Sequence, residues 1–146
     1  MIEHSVDITI NRPVAEVFSW LTNAKNHPRW DSGSVEMTSE TQGPWHAGMT
    51  FHEVRKVGGR NTTVKSRIAA LEPDRRFEIE SLTGPEWHGT WLFSPADSGS
   101  GTRLQFKGQL GFKGLMKLME PLIGGSFKKQ VDTNFAKLKS ILESEA

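Results

Sequence analysis

The chain has 146 residues, 36% hydrophobic and 24% charged, with 18 Lys and Arg against 17 Asp and Glu for a net charge of +1. This describes one globular α+β-sized domain over residues 1–146 that can bury its own core, with no nucleic-acid footprint and no strong pull toward anionic membranes expected. The absence of Cys excludes a disulfide framework, a thiolate metal site and a Cys nucleophile, and the absence of Tyr removes the usual aromatic proton donor.

The first residues, Met-Ile-Glu-His-Ser-Val-Asp, lack the basic and apolar runs of a secretory signal, and no window holds the roughly 20 apolar residues of a transmembrane segment. A cytoplasmic protein is therefore expected. Ile2, His4, Val6, Ile8 and Ile10 alternate with Glu3, Ser5, Asp7 and Thr9, which predicts a half-buried strand. At Asn11-Arg12-Pro13 the period changes to helical, with Val14, Val17, Phe18 and Leu21 on one face and an end near Asn23. A short second helix is predicted over Lys25 to Trp30.

Strands and turns follow as far as Phe112. Val35 to Thr41 reads as a polar, edge-like strand, and Met49 to Val57 as the next. Gly58-Gly59-Arg60-Asn61 is a hairpin signal before Thr62 to Leu71. Phe77 to Leu82, Trp87 to Ser94 and Arg103 to Phe112 complete a set whose short connections predict antiparallel neighbours. The tail from Lys113 to Ala146 predicts one long amphipathic helix. Its apolar stripe runs from Leu115, Met119, Leu122 and Ile123 to Phe127, Val131, Phe135, Leu138 and Leu142, with a kink or break at Pro121 and Gly124-Gly125.

A curled sheet with one apolar face needs a cover, and only the tail helix is long enough to supply it. The predicted architecture is a helix-grip fold: about seven curved antiparallel strands around a C-terminal helix, with two short helices after strand 1. Asn11-Arg12-Pro13-Val14-Ala15-Glu16-Val17-Phe18, His27-Pro28-Arg29-Trp30, Gly48-Met49-Thr50-Phe51, Leu71-Glu72-Pro73 and Gly101-Thr102-Arg103-Leu104 occur in that order. In this the chain resembles the START-related SRPBCC superfamily, in its polyketide cyclase/dehydrase-like branch. The resemblance implies an internal cavity for a small, mainly hydrophobic ligand, with Trp30 at its mouth. It also admits an aromatase/cyclase- or dehydratase-like enzyme, or a co-chaperone-like interaction module.

Strand periodicity assigns the cavity lining to Phe51, Val64, Ile68, Trp87, Trp91, Phe93 and Phe106, faced by Met116, Met119, Ile123 and Phe127 from the tail. Gly89 and Gly108 are expected to enlarge that space. The polar candidates are Glu53 and Arg55, which enter the cavity if Phe51 does; the opposite register places His52 there instead. Asp132 and Asn134 are expected to face solvent. The five scattered His residues predict no metal site, since none is read as pairing with another ligand type at i+2 or i+4, and no cofactor motif is present.

Overall fold

The opening alternation forms β1 (Ile2–Ile10), with its apolar positions turned inward and Glu3, Ser5, Asp7 and Thr9 exposed. The computed structural model describes residues 1–57 and 59–145. Pro13, extended at φ −61° and ψ 152°, is the N-cap of α1 (Val14–Leu21), which buries Val17, Phe18 and Leu21. A short 3-10 turn (Ala24–Asn26), capped by the Asn23 side chain, leads into the single turn of α2 (His27–Trp30).

Six further strands follow: β2 (Ser34–Ser39), β3 (Thr50–Val57), β4 (Arg60–Glu72), β5 (Arg76–Ser81), β6 (Glu86–Ala96) and β7 (Gly101–Gly111). Gly58 of the expected hairpin signal lies outside the described residues, as does Ala146; Arg60 and Asn61 already belong to β4. The strand order is β1-β7-β6-β5-β4-β3-β2, every pair antiparallel. β2 is an edge, as its polar sequence predicts. Irregularities at Ser34/Glu36 and Ile68/Ala70 add local bends to the twisted sheet.

The tail differs from the prediction. A 3-10 helix (Gly114–Met119) precedes an uninterrupted α3 (Glu120–Ser144). Pro121 falls in the first turn of α3, where a missing N–H breaks no intrahelical bond; the change of helix type lies just before it, and α3 continues through Gly124-Gly125. Leu115 and Leu122, expected in the buried stripe, are 85% and 75% exposed. Burial begins in earnest at Phe127 and continues through Asn134, Phe135, Leu138 and Leu142.

α3 runs parallel to β1, and their polar contacts advance together. The terminal amine of Met1 pairs with Glu120 at 2.6 Å and His4 Nε2 meets Asp132 Oδ1 at 2.7 Å. Farther along, the Lys139 ammonium donates to the Thr9 carbonyl, and the Asn11 N–H donates to Glu143 Oε2 at 2.8 Å. Arg12 Nη2 then donates to the Glu143 carbonyl at 2.9 Å, serving a last-turn acceptor that lacks a partner within the helix. The lengths agree: about 24 helical residues and about 11 strand residues both cover roughly 36 Å.

Phe135 is 2% exposed and Met119 is 42% exposed. Phe135→Ala should therefore cost about 3–5 kcal/mol in chemical denaturation, whereas Met119→Ala should stay within about 0.5 kcal/mol. Equal losses at the two positions would contradict this division of the tail.

Candidate functional site

On the concave face, rings from β5, β6 and β7 continue into rings from α3 and α2 in one unbroken run. Centroids are 4.6 Å apart for Phe77 and Trp91, 4.8 Å for Trp91 and Phe106, 4.7 Å for Phe106 and Phe135, and 5.2 Å for Phe135 and Trp30. Gly89 and Gly108 pair across the two strands, but they do not leave the open room expected of them. A Cβ on Gly89 would lie 2.7 Å from Trp91 Cζ3, and one on Gly108 would lie 2.8 Å from Phe106 Cζ. The glycines let these rings lie flat on the sheet. Trp30 and Trp91 are each 4% exposed, and neither indole Nε1 has a hydrogen-bond acceptor among the described residues.

Of the predicted lining, Trp30, Phe51, Ile68, Trp91, Phe93, Phe106 and Phe127 are buried, while Val64, Trp87 and Ile123 are half-buried. Met116 and Met119 must be corrected: on the 3-10 helix they are 53% and 42% exposed, not turned toward the sheet. Open space lies on another flank, in a groove of about 920 Å³ walled by Phe18, Met37, Trp45, Met49 and Leu71 among others. None of the predicted lining residues borders it. Trp45 belongs to both regions, with its ring 4.9 Å from Phe51 and 5.6 Å from Phe77.

Beside Trp30 sits a charged cluster. The one turn of α2 places His27 and Asp31, four residues apart, on one side, and β3 sends Glu53 and Arg55 inward with Phe51 while His52 stays exposed. His27 Nε2 is 3.2 Å from Asp31 Oδ2 and 3.0 Å from Glu53 Oε2. Arg55 Nη1 donates to the same two oxygens at 2.9 and 3.1 Å. Contrary to expectation Asn134 is buried: its Nδ2 donates to Asp31 Oδ1 at 3.2 Å, and its Oδ1 accepts from the Ser32 N–H and hydroxyl. Asp132, by contrast, is exposed as predicted. A Cβ at Gly33 would press on Arg55 Nη2, so a larger residue there would push the guanidinium out of its present place.

Burial by itself pushes the His27 imidazole down, but the hydrogen bonds and charges of Asp31 and Glu53 outweigh it and raise the group to about 9. Burial likewise works against ionisation of Asp31 and Glu53, yet His27 and Arg55 hold both below the usual carboxylate range. The Arg55 guanidinium is desolvated too, and the two carboxylates nevertheless keep it firmly charged. At neutral pH the cluster is two cations against two anions.

His27, Asp31 and Glu53 bring ligand atoms within 4.8 Å of one another, and the i+4 spacing of His27 and Asp31 corrects the expectation that no His had such a neighbour. This arrangement does not fit a resident metal. Arg55 already holds Asp31 Oδ2 and Glu53 Oε2, and His27 carries a proton where a metal needs a lone pair.

The signs fix a pH dependence. His27, raised, contributes fully below its ordinary 6.5 and loses its contribution as pH climbs through about 9. Asp31 and Glu53, lowered, contribute above their ordinary 3.8 and 4.5 and lose it in acid. Thermal melts should show Tm falling across the alkaline interval, and His27→Gln should flatten that limb; a limb unchanged in the variant would refute the assignment. Wild-type Tm at neutral pH should ignore added Zn²⁺, since Arg55 and the His27 proton both occupy the ligand atoms.

The fold is shared with solved structures of low sequence identity. A protein from Thermus thermophilus aligns at TM-score 0.80 with 15% identity over 99% of both chains. A START superfamily protein from Mycobacterium smegmatis aligns at 0.82 with 9% identity over 100% of both. The Zhui aromatase/cyclase from Streptomyces sp. R1128 aligns at 0.79 with 13% identity, over 97% of this chain and 93% of that one. No curated protein sequence matches the chain. The family described as polyketide cyclase/dehydrase and lipid transport matches residues 1–143, and the chain belongs to that family.

Proposed function

We propose that the protein binds a small, mainly hydrophobic, lipid- or polyketide-like molecule bearing an oxygen acceptor, on the aromatic face between the sheet and α3, in the cytoplasm. The observation that carries this reading is the pair of buried indole N–H groups, on Trp30 and Trp91, that have no acceptor among the described residues. An unmade buried hydrogen bond costs about 1–3 kcal/mol, which a ligand carbonyl or hydroxyl would recover. Apolar walls with a few oriented polar groups are the usual make-up of a ligand site. The rings of that face pack against one another, so a ligand enters from the groove, where Trp45 lines open space and touches the interior, and must part them; Met37 and Met49 can repack around differing shapes. Membership of a family that includes lipid transport agrees with this.

A second reading, an aromatase/cyclase-like enzyme, is favoured by the placement of His27 against Trp30, with ring centroids 5.3 Å apart. There the imidazolium and Arg55 would donate to a developing enolate. Glu53 is a poor base in this setting because it is already paired and held ionised. Turnover of a polyketide-type thioester, lost in both His27→Gln and Arg55→Ala, would establish the enzyme.

The binding reading is tested by Trp fluorescence with fatty acids, flavonoids and polyaromatic hydrocarbons. Oxygen-bearing ligands should give saturable changes. Trp91→Phe keeps a ring but removes the donor, so it should weaken oxygenated ligands about 2- to 10-fold and leave pure hydrocarbons nearly unaffected. If no ligand perturbs the signal, the reading fails.

A further inference from the structure

The 3-10 helix Gly114–Met119 and the first turn of α3 expose a concentration of apolar side chains. Leu115, Leu118 and Leu122 are 85%, 75% and 75% exposed, and Met116 and Met119 are 53% and 42% exposed. Positions three apart eclipse in a 3-10 helix, so Leu115 stacks with Leu118 on one side and Met116 with Met119 on the next. Scattered apolar singles are ordinary on a surface; a cluster confined to about two turns is a docking feature.

The charge along this stretch of chain is basic. From Phe112 to Val131 the only carboxylate is Glu120, against four Lys. Glu120 is turned inward, 9% exposed, and is held by the Met1 amine at 2.6 Å and the Phe112 N–H at 2.9 Å. Lys113, Lys117, Lys128 and Lys129 are all exposed. Lys129 follows Leu122 by seven residues and so projects from the same side of α3, opposite the buried stripe.

We propose that this patch docks the protein on an anionic lipid bilayer, with the Leu and Met tips entering the headgroup–acyl boundary and the Lys ammonium groups meeting lipid phosphates. A second copy of the chain is a poor occupant, because a self-complementary contact would set these lysines against their own symmetry mates. Leucines that stand clear of their own protein suit a fluid phase, which needs no shaped pocket to receive them. The overall charge of +1 conceals the patch because the compensating acids lie elsewhere in the chain.

The test is flotation with phosphatidylcholine vesicles, with and without phosphatidylglycerol, at low and high salt. Wild type should float with the anionic vesicles, less so as salt rises, and stay behind with phosphatidylcholine alone. The triple variant Leu115→Ser, Leu118→Ser, Leu122→Ser and the double variant Lys113→Glu, Lys117→Glu should each bind at least about tenfold more weakly. The leucine variant should keep the wild-type Tm, since its altered side chains are exposed, and the lysine variant should stay folded. Absence of flotation, equal binding to both vesicle types, or undiminished binding of the leucine variant would overturn the proposal. So would a dimer that the leucine variant abolishes without any effect of lipid, which would assign the patch to a second copy.

Discussion

One helix has to cover a sheet much wider than itself. Seven strands at about 4.8 Å spacing span roughly 29 Å, whereas a helix with its side chains is about 10–12 Å across. Because α3 is tied along β1, it covers one side of the concave face and leaves the rest to other elements. Phe18 from α1, Trp30 from α2 and Trp45 from the β2–β3 connection make up the difference. The high Trp and Phe content follows from that geometry: only large flat side chains reach across the uncovered width. An interior assembled from the edges of several elements closes less tightly at its seams than a helix bundle does, and the groove beside Trp45 is such a seam.

The charged cluster holds these covers in place. Asp31 takes donors from β3 through Arg55, from α3 through Asn134, and from its own loop through the Gly33 N–H. A single carboxylate thereby ties three parts of the chain together, which gives the neighbouring Trp30 a defined position against Phe135. Each member depends on the others, since removing one would strand a buried charge. The arrangement favours rigidity at the Trp30 end of the interior and leaves adaptability to the methionine-lined groove.

Much of this was legible in the sequence wherever a period could be read. The alternation of β1, β6 and β7 sorted inward from outward residues, and Phe51 correctly linked Glu53 and Arg55 to its own face once its burial was known. The failures have physical causes. The stripe of Leu115, Met119, Leu122 and Ile123 assumes 3.6 residues per turn, but the backbone before Pro121 winds as a 3-10 helix, so that face never forms. Asn134 looked like a solvent residue because its partners, Asp31 and Ser32, lie about a hundred positions away. The His27 and Asp31 spacing was available, yet its meaning depends on Glu53 and Arg55 arriving from another strand. In the sequence Gly89 and Gly108 suggest open space, whereas the rings of Trp91 and Phe106 fold back over them and fill it.

The pairing of β1 with β7, from Ile2 with Leu110 to Ile10 with Thr102, also orders events during synthesis. β1 leaves the ribosome before β7, and before α3, which later lies along it. At about 5–20 residues per second it waits many seconds with both hydrogen-bonding edges free. Its outward Glu3 and Asp7 act as gatekeepers in that interval, disfavouring pairing with another nascent chain. Arg103 later meets Asp7 across the finished ladder, converting a charge that protected the unpaired strand into one that marks its register.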